Sequence, residues 1–200
     1  MAGKIVAIIG SYRKGGVIDQ AVEAILRAAE EAGAQTSRIY LREKRIEFCA
    51  NCRQCTQAPG VQRGQCRQND GMEALLDEIG GADAIVLGAP VNFFNANALT
   101  RKFMERLLCL TYWPWGQLTP RPRIKACRKQ AVLVLSSAMP GFMVGMLTGA
   151  RRALKLMAGL LGARPVGALT IGLAAGRAKA ALSERVRRKA AKLGRKLAGK

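Results

Sequence analysis

A chain of 200 residues, half of them hydrophobic, suits one domain with a full core. It contains no histidine, which removes the usual general base and any Ser-His or Cys-His nucleophile pair and so argues against hydrolase chemistry. The formal charge is +20, with ten Lys or Arg against the single Glu184 in residues 176 to 200, and such a field favours anionic partners without naming one.

No charged segment followed by a long apolar run opens the chain, so no signal peptide is expected and a cytoplasmic location is. Between residues 141 and 175, Arg151, Arg152, Lys155 and Arg164 interrupt the one stretch long enough to weigh as a membrane span, so no span is expected. In a reducing cytosol a disulfide framework is disfavoured, and clustered cysteines there are more often metal-binding or catalytic.

In chain order, "KIVAIIG" (4–10) is a β-branched apolar run ending in glycine and reads as a strand buried on both faces. Val17, Ala21, Val22, Ala24, Ile25, Ala28 and Ala29 recur at helical spacing up to Ala32, and Gly33 stands where a C-terminal cap belongs. "TSRIYL" (36–41) is a second strand. A long cysteine-bearing loop follows, and "MEALLDEIGG" (72–81) is a helix capped near Asp70. "ADAIVLGAP" (82–90) is a third strand, "NALTRKFMERLLCL" (97–110) a helix and "KQAVLVLSS" (129–137) a fourth strand. Residues 144 to 161 read as one helix, "RPVGALTIG" (164–172) as a fifth strand and 177 to 198 as a terminal basic helix. Strands alternating with helices imply a doubly wound α/β domain, a parallel sheet covered on both faces. Ligands of such sheets bind beyond the carboxyl ends of the strands, which singles out the loops 10–18, 90–96 and 136–145.

The first of these, "GSYRKGGVIDQ" (10–20), places two glycines, a serine, an arginine and a lysine between a buried strand and a helix. Free backbone N–H groups and the helix dipole there favour an anion. The loop is neither a Walker P-loop nor a G-x-G-x-x-G fingerprint, so a terminal monophosphate fits it better than a triphosphate or dinucleotide.

Cys49, Cys52 and Cys55 have C-x2-C-x2-C spacing, which lets one curved loop deliver three thiolates to one cluster, and Cys66 is the candidate fourth ligand. Zinc sites more often use two separated C-x2-C pairs. Three readings stay open at this point: a 4Fe-4S cluster, a zinc site, or free redox-active thiols. Cys109, in a leucine-rich stretch, reads as a small buried hydrophobe, and Cys127, between Lys125 and Arg128, as a surface residue.

"GSYRKGG", the cysteine run followed by "NDGMEALLDEI", and "GAPVNFFNANALTRKFMERL" together resemble the flavodoxin-fold flavin reductases, and the iron-sulfur flavoproteins among them. The resemblance implies a five-stranded parallel sheet of order 2-1-3-4-5 over residues 1–175. The cysteine-rich loop would span 47–70, and the basic helix of 176–200 would pack on the same domain. It implies FMN phosphate contacts from Ser11, Arg13, Gly15, Gly16, Val17 and Ile18. Val17 and Ile18 stand where the family has asparagine and a hydroxyl residue, so at least one side-chain donor is missing, and a hydrogen bond to a charged group is worth ~1.5–3 kcal/mol. Pro90, Val91, Asn92, Phe93 and Phe94 would line the isoalloxazine edge, with Asn92 replacing a common tyrosine. Ser136 and Ser137 would lie on the last flavin-facing loop. The "RKFMERL" segment resembles the family's K-x-F-x-D-R helix and reads as structural. The iron-sulfur flavoproteins leave a shorter interval before the fourth cysteine than the ten residues found here, yet each doubling of loop length adds only ~0.6 kcal/mol of closure entropy.

The activity implied is an FMN-dependent oxidoreductase: NAD(P)H reduces the flavin, which passes electrons to a small acceptor or to the cluster, with no catalytic side chain required. A carrier reduced by an acidic ferredoxin-like donor, without NAD(P)H oxidation, is the second reading, and a homodimer or homotetramer is implied in either case. The third takes the terminal helix as a nucleic-acid or membrane-surface element. Its stripe of Leu182, Val186, Ala190, Leu193 and Leu197, however, also suits packing on the sheet domain with the charges solvated.

Overall fold

The Ile- and Val-rich runs form strands because both of their faces find apolar cover. Ile5 to Ile9 are each no more than 2% exposed. The computed structural model describes residues 3–176 and 180–199. Five parallel strands, β1 (Lys4–Ile9), β2 (Gln35–Tyr40), β3 (Ala84–Asn92), β4 (Lys129–Ser136) and β5 (Ala163–Ile171), pair in the order β2-β1-β3-β4-β5. This is the doubly wound order expected from the resemblance, with one addition: a two-residue strand, Asn95–Ala96, pairs antiparallel with the end of β3.

The side chains of β1 alternate between two cores. Val6 and Ile8 face α2 (Met72–Gly80), α3 (Ala98–Arg106) and α5 (Ala150–Leu160), while Ile5, Ala7 and Ile9 face α1 (Val17–Glu30) and α6 (Glu184–Leu197). Gly88 has no side chain because a Cβ there would stand 2.9 Å from the Ile18 side chain, which lets α1 lie close on the sheet.

Four elements differ from the sequence reading. The helix expected over 144–161 is two helices, α4 (Gly141–Leu147) and α5, divided at Thr148, whose backbone is extended (φ −128°, ψ 148°). The helix expected to reach residue 110 is α-helical only to Arg106 and tightens into a 3₁₀ turn over Leu107–Leu110. The connection after it carries a small antiparallel ladder, Thr111–Tyr112 with Arg121–Pro122, too short to leave an alternating pattern. The terminal helix, expected from residue 177, begins only at Glu184: residues 180–183 are not helical, and Ser183 caps the helix by accepting the Val186 N–H, while residues 177–179 lie outside the described residues.

The apolar stripe of α6 packs on the domain. Ala190 and Leu197 are buried, Val186 and Leu193 press on the same core, and a Cβ on Gly194 would overlap the Ile25 carbonyl of α1. Arg185, Arg187, Arg188 and Lys189 remain on the exposed face. No helix of the described residues is long and apolar enough to cross a membrane.

Candidate functional site

At the carboxyl ends of β1, β3 and β4 the three loops singled out by the sequence enclose one cavity of about 290 Å³. Ser11, Arg13, Gly16, Val17 and Ile18 line it from the first loop, Pro90, Val91 and Asn92 from the end of β3, and Ser136 and Ser137 from the end of β4. A larger hollow of about 710 Å³ lies near the amino ends of β4 and β5, bounded by Gly80, Arg128, Lys129 and Gly162. We take the smaller cavity as the site, because it occupies the position where open parallel sheets bind ligands and adjoins the start of α1.

The first loop is held from below by α3. Asn97, 1% exposed, caps α3 by accepting the Thr100 N–H (3.2 Å) and donates from Nδ2 to the Gly10 carbonyl (2.7 Å). A Cβ on Gly10 would overlap the Thr100 hydroxyl, so glycine is required where the chain leaves β1. Ser11 Oγ accepts the Arg13 N–H at 3.2 Å, which curls the loop toward α1.

Gly15 stands outside the cavity. It adopts φ +68°, and its N–H donates to Asp19 Oδ2 (2.8 Å) rather than remaining free for a phosphate. Burial raises the Asp19 carboxyl above its usual range, against the lowering pull of the Gly15 N–H and of Arg42, 3.7 Å away. Ile18 lines the cavity but is 2% exposed and belongs to the core beneath α1, which explains an aliphatic residue where the family has a hydroxyl.

Phe93 and Phe94 also lie outside the cavity, at the tip of the hairpin that joins Asn92 to its partner Asn95. Both have positive φ (45° and 61°), as a two-residue hairpin turn with a right-handed twist demands, although Asn-Gly is the usual choice. Bulky residues there cost on the order of 1–3 kcal/mol each, and such strain clusters at ligand clamps and switch regions. Phe93 is fully exposed, so its ring gains nothing from the core to offset that cost.

The cysteine loop flanks this site. A hollow of about 250 Å³ shares Tyr12 with the cavity and reaches Phe48 at the root of the loop. Within the loop, Asn51 and Arg53 are left-handed (φ 50° and 57°), and the Asn51 N–H donates to Cys49 Sγ at 3.4 Å. Backbone N–H groups turned inward by such conformations form anion-binding nests that recur at phosphate and Fe–S sites.

Cys49, Cys55 and Cys66 are half-buried and Cys52 is exposed. Burial, followed by the charges of Cys66, Cys49 and Cys52, pushes the Cys55 thiol up to about 11. No group of three or more His, Cys, Asp or Glu side chains among the described residues is gathered closely enough for a metal ion. The four cysteines are a soft thiolate donor set, the kind that zinc and iron-sulfur centres use. Cys109 is buried, as its sequence context indicates, and desolvation pushes its thiol up to about 12.

Three arginines fix the loop. Arg53 lies between the rings of Trp113 (3.7 Å) and Trp115 (4.2 Å) and donates to the Trp113 carbonyl. Arg123 donates to the carbonyls of Thr111, Gly60, Cys55 and Ala58, and Arg106 to Asp70, the Glu47 carbonyl and Cys66 Sγ.

Residues 3–178 match the sequence pattern of a family described as NADPH-dependent FMN reductase. The chain belongs to that family. An iron-sulfur flavoprotein of Archaeoglobus fulgidus is 31% identical over 122 residues, 61% of this chain and 50% of its own. The chain thus spans about half the length of the curated relatives it matches. Among solved structures, an FMN-dependent NADH-azoreductase from Bacillus anthracis in complex with FMN aligns with TM-score 0.67 at 12% identity over 100% of this chain and 98% of its own. A flavodoxin from the domain Archaea aligns with TM-score 0.58 at 13% identity over 98% and 96%. At such identities these structures bear on the fold, which is flavodoxin-like.

For this FMN reductase family member, the sequence reading missed Tyr12, Ala138, Ala174 and Ala175, which complete the cavity wall. The two alanines arrive from the segment after β5, where the Ala174 N–H donates to the Ser137 carbonyl (2.8 Å). Small residues beyond a fifth strand were the available signal. Asn97 was missed as a support of the first loop, although an asparagine directly before a helical run is a recognisable cap.

Proposed function

We propose that this chain is an FMN-dependent oxidoreductase that takes electrons from NAD(P)H and delivers them to a small-molecule acceptor or to a 4Fe-4S cluster. The observation that carries the reading is the convergence of the first loop, Pro90 to Asn92, and Ser136 with Ser137 on one cavity at the carboxyl ends of the sheet. The residues fit FMN: the start of α1 and Arg13 suit a phosphate dianion, and Pro90, Val91 and Asn92 suit the edge of a flat ring. When bound, FMN supplies both the hydride and the single-electron chemistry. The chain's part is to orient it. Ser11, Ser136 and Ser137 are all at most 6% exposed, so their polar atoms are fixed before any ligand arrives.

Cys49, Cys52, Cys55 and Cys66 would hold the cluster, their all-thiolate donor set and the Asn51 N–H on Cys49 Sγ suiting a polynuclear anion. A cluster supplies one-electron transfer. Retention of four thiols favours a reducing, cytoplasmic setting. Fully exposed Phe93 and largely exposed Phe94 are the surface that a homodimer or homotetramer would cover.

Anaerobic addition of NADPH or NADH to FMN-loaded protein is expected to bleach the flavin absorbance. A second reading, the electron carrier, is favoured by the cysteine loop beside the cavity and by the +20 charge, which steers acidic proteins. No bleaching by either nucleotide, with rapid reduction by an acidic ferredoxin, would replace the reductase by the carrier.

A further inference from the structure

α3 joins the two candidate redox sites. At its amino end Asn97 holds the Gly10 carbonyl of the first loop, and at its carboxyl end Arg106 holds the cysteine loop. Nine helical residues span roughly 13.5 Å between them.

Arg106 has a side chain 2% exposed, which a cation tolerates only when paired and hydrogen-bonded. Its Nη1 donates to Asp70 Oδ2 (2.5 Å) and to the Glu47 carbonyl (2.9 Å). Its Nη2 donates to Asp70 Oδ1 (3.1 Å) and lies 3.6 Å from Cys66 Sγ. Asp70 in turn accepts the N–H groups of Glu47 (2.7 Å) and Met72 (3.0 Å), so the two ends of the loop meet at this pair. Burial alone would raise the Asp70 carboxyl; the Arg106 guanidinium and the two N–H groups instead hold it below the usual carboxylate range.

We propose that Arg106 is a positioning residue for the iron-sulfur centre: it fixes Cys66 as the distant fourth ligand and supplies the positive charge that favours the reduced state. This rests on the cluster reading above. The ten residues before Cys66 leave that thiol free to wander unless something other than the C-x2-C-x2-C turn holds it, and Arg106 is the cation in contact with its sulfur. One-electron reduction adds one negative charge to the thiolate-ligated centre, and a guanidinium beside one ligand sulfur stabilises it.

The test is a mediated, anaerobic dithionite titration followed by electron paramagnetic resonance, on wild type, Arg106→Gln, Arg106→Lys and Asp70→Asn, with iron, sulfide and flavin assayed in each. Arg106→Gln is expected to keep iron and flavin and to shift the reduction equilibrium at least tenfold toward the oxidised form, ~59 mV for one electron. Arg106→Lys is expected to recover at least half of the shift. Asp70→Asn, which leaves the Arg106 charge less compensated, is expected to shift the opposite way. A merely structural clasp would move Arg106→Gln and Asp70→Asn in the same direction, and that result, or wild-type potentials and iron content in both, overturns the proposal. If Arg106→Gln does not fold, the opposite signs of Arg106→Lys and Asp70→Asn carry the test. Wild type without iron and sulfide would sink the cluster reading itself, and the proposal with it.

Discussion

Replacing Arg13 with alanine is expected to weaken FMN binding about 10- to 150-fold while leaving riboflavin binding unchanged. A hydrogen bond to a charged group is worth ~1.5–3 kcal/mol, and every 1.4 kcal/mol is tenfold in affinity. Arg13 lines the cavity, is exposed, and forms no ion pair among the described residues, so its guanidinium is available to a phosphate and its removal leaves the core intact. Arg13 is the one cationic side chain among the described residues that line the cavity. Val17 and Ile18 offer no side-chain donor, and the Gly15 N–H already serves Asp19. Fluorescence titration of apoprotein with the two flavins measures both affinities. An equal loss for FMN and riboflavin would show that Arg13 acts on the ring or on the loop's shape, and the phosphate would have to lie elsewhere.

The second large effect concerns the cysteine loop. Arg123, 5% exposed, donates to four carbonyls at 2.9–3.1 Å, three of them in the loop. Arg123→Ala would leave those acceptors unpaired, each at a cost of roughly 1–3 kcal/mol, and since the losses are not additive the total should be about 3–5 kcal/mol. Urea unfolding at neutral pH measures it as a lower midpoint. Limited proteolysis should find new cleavage between residues 47 and 70 while the sheet stays resistant. A loss under about 1 kcal/mol, with no new cleavage, would mean that the loop is held by Arg53 and Arg106 alone.

These arginines mark where sequence reasoning stops. An arginine in a chain of +20 charge reads as one more solvated cation, and nothing local to Arg106 or Arg123 announces partners 36 to 68 positions away. The strands were legible because apolar β-branched runs separated by helical periodicity admit few other arrangements. The order of those strands, and the roles of Ser11, Arg13 and Pro90, came from the family resemblance. Phe93 and Phe94 were placed at the ring by the family resemblance; what the sequence did not announce is that they form a two-residue hairpin tip, since no residue preference for that turn would select them. The break between α4 and α5 was hidden because apolar periodicity continues across Thr148 and Gly149 even though the backbone does not.

The central claim is that the cavity at the carboxyl ends of β1, β3 and β4 holds FMN. Its most direct test is the flavin content of protein purified without oxygen, with released flavin identified chromatographically and the apoprotein titrated with FMN. One FMN per chain, bound through a site that Arg13→Ala weakens, is the expected result. A chain that neither retains FMN nor binds it when titrated would contradict the assignment of the cavity and the oxidoreductase reading built on it.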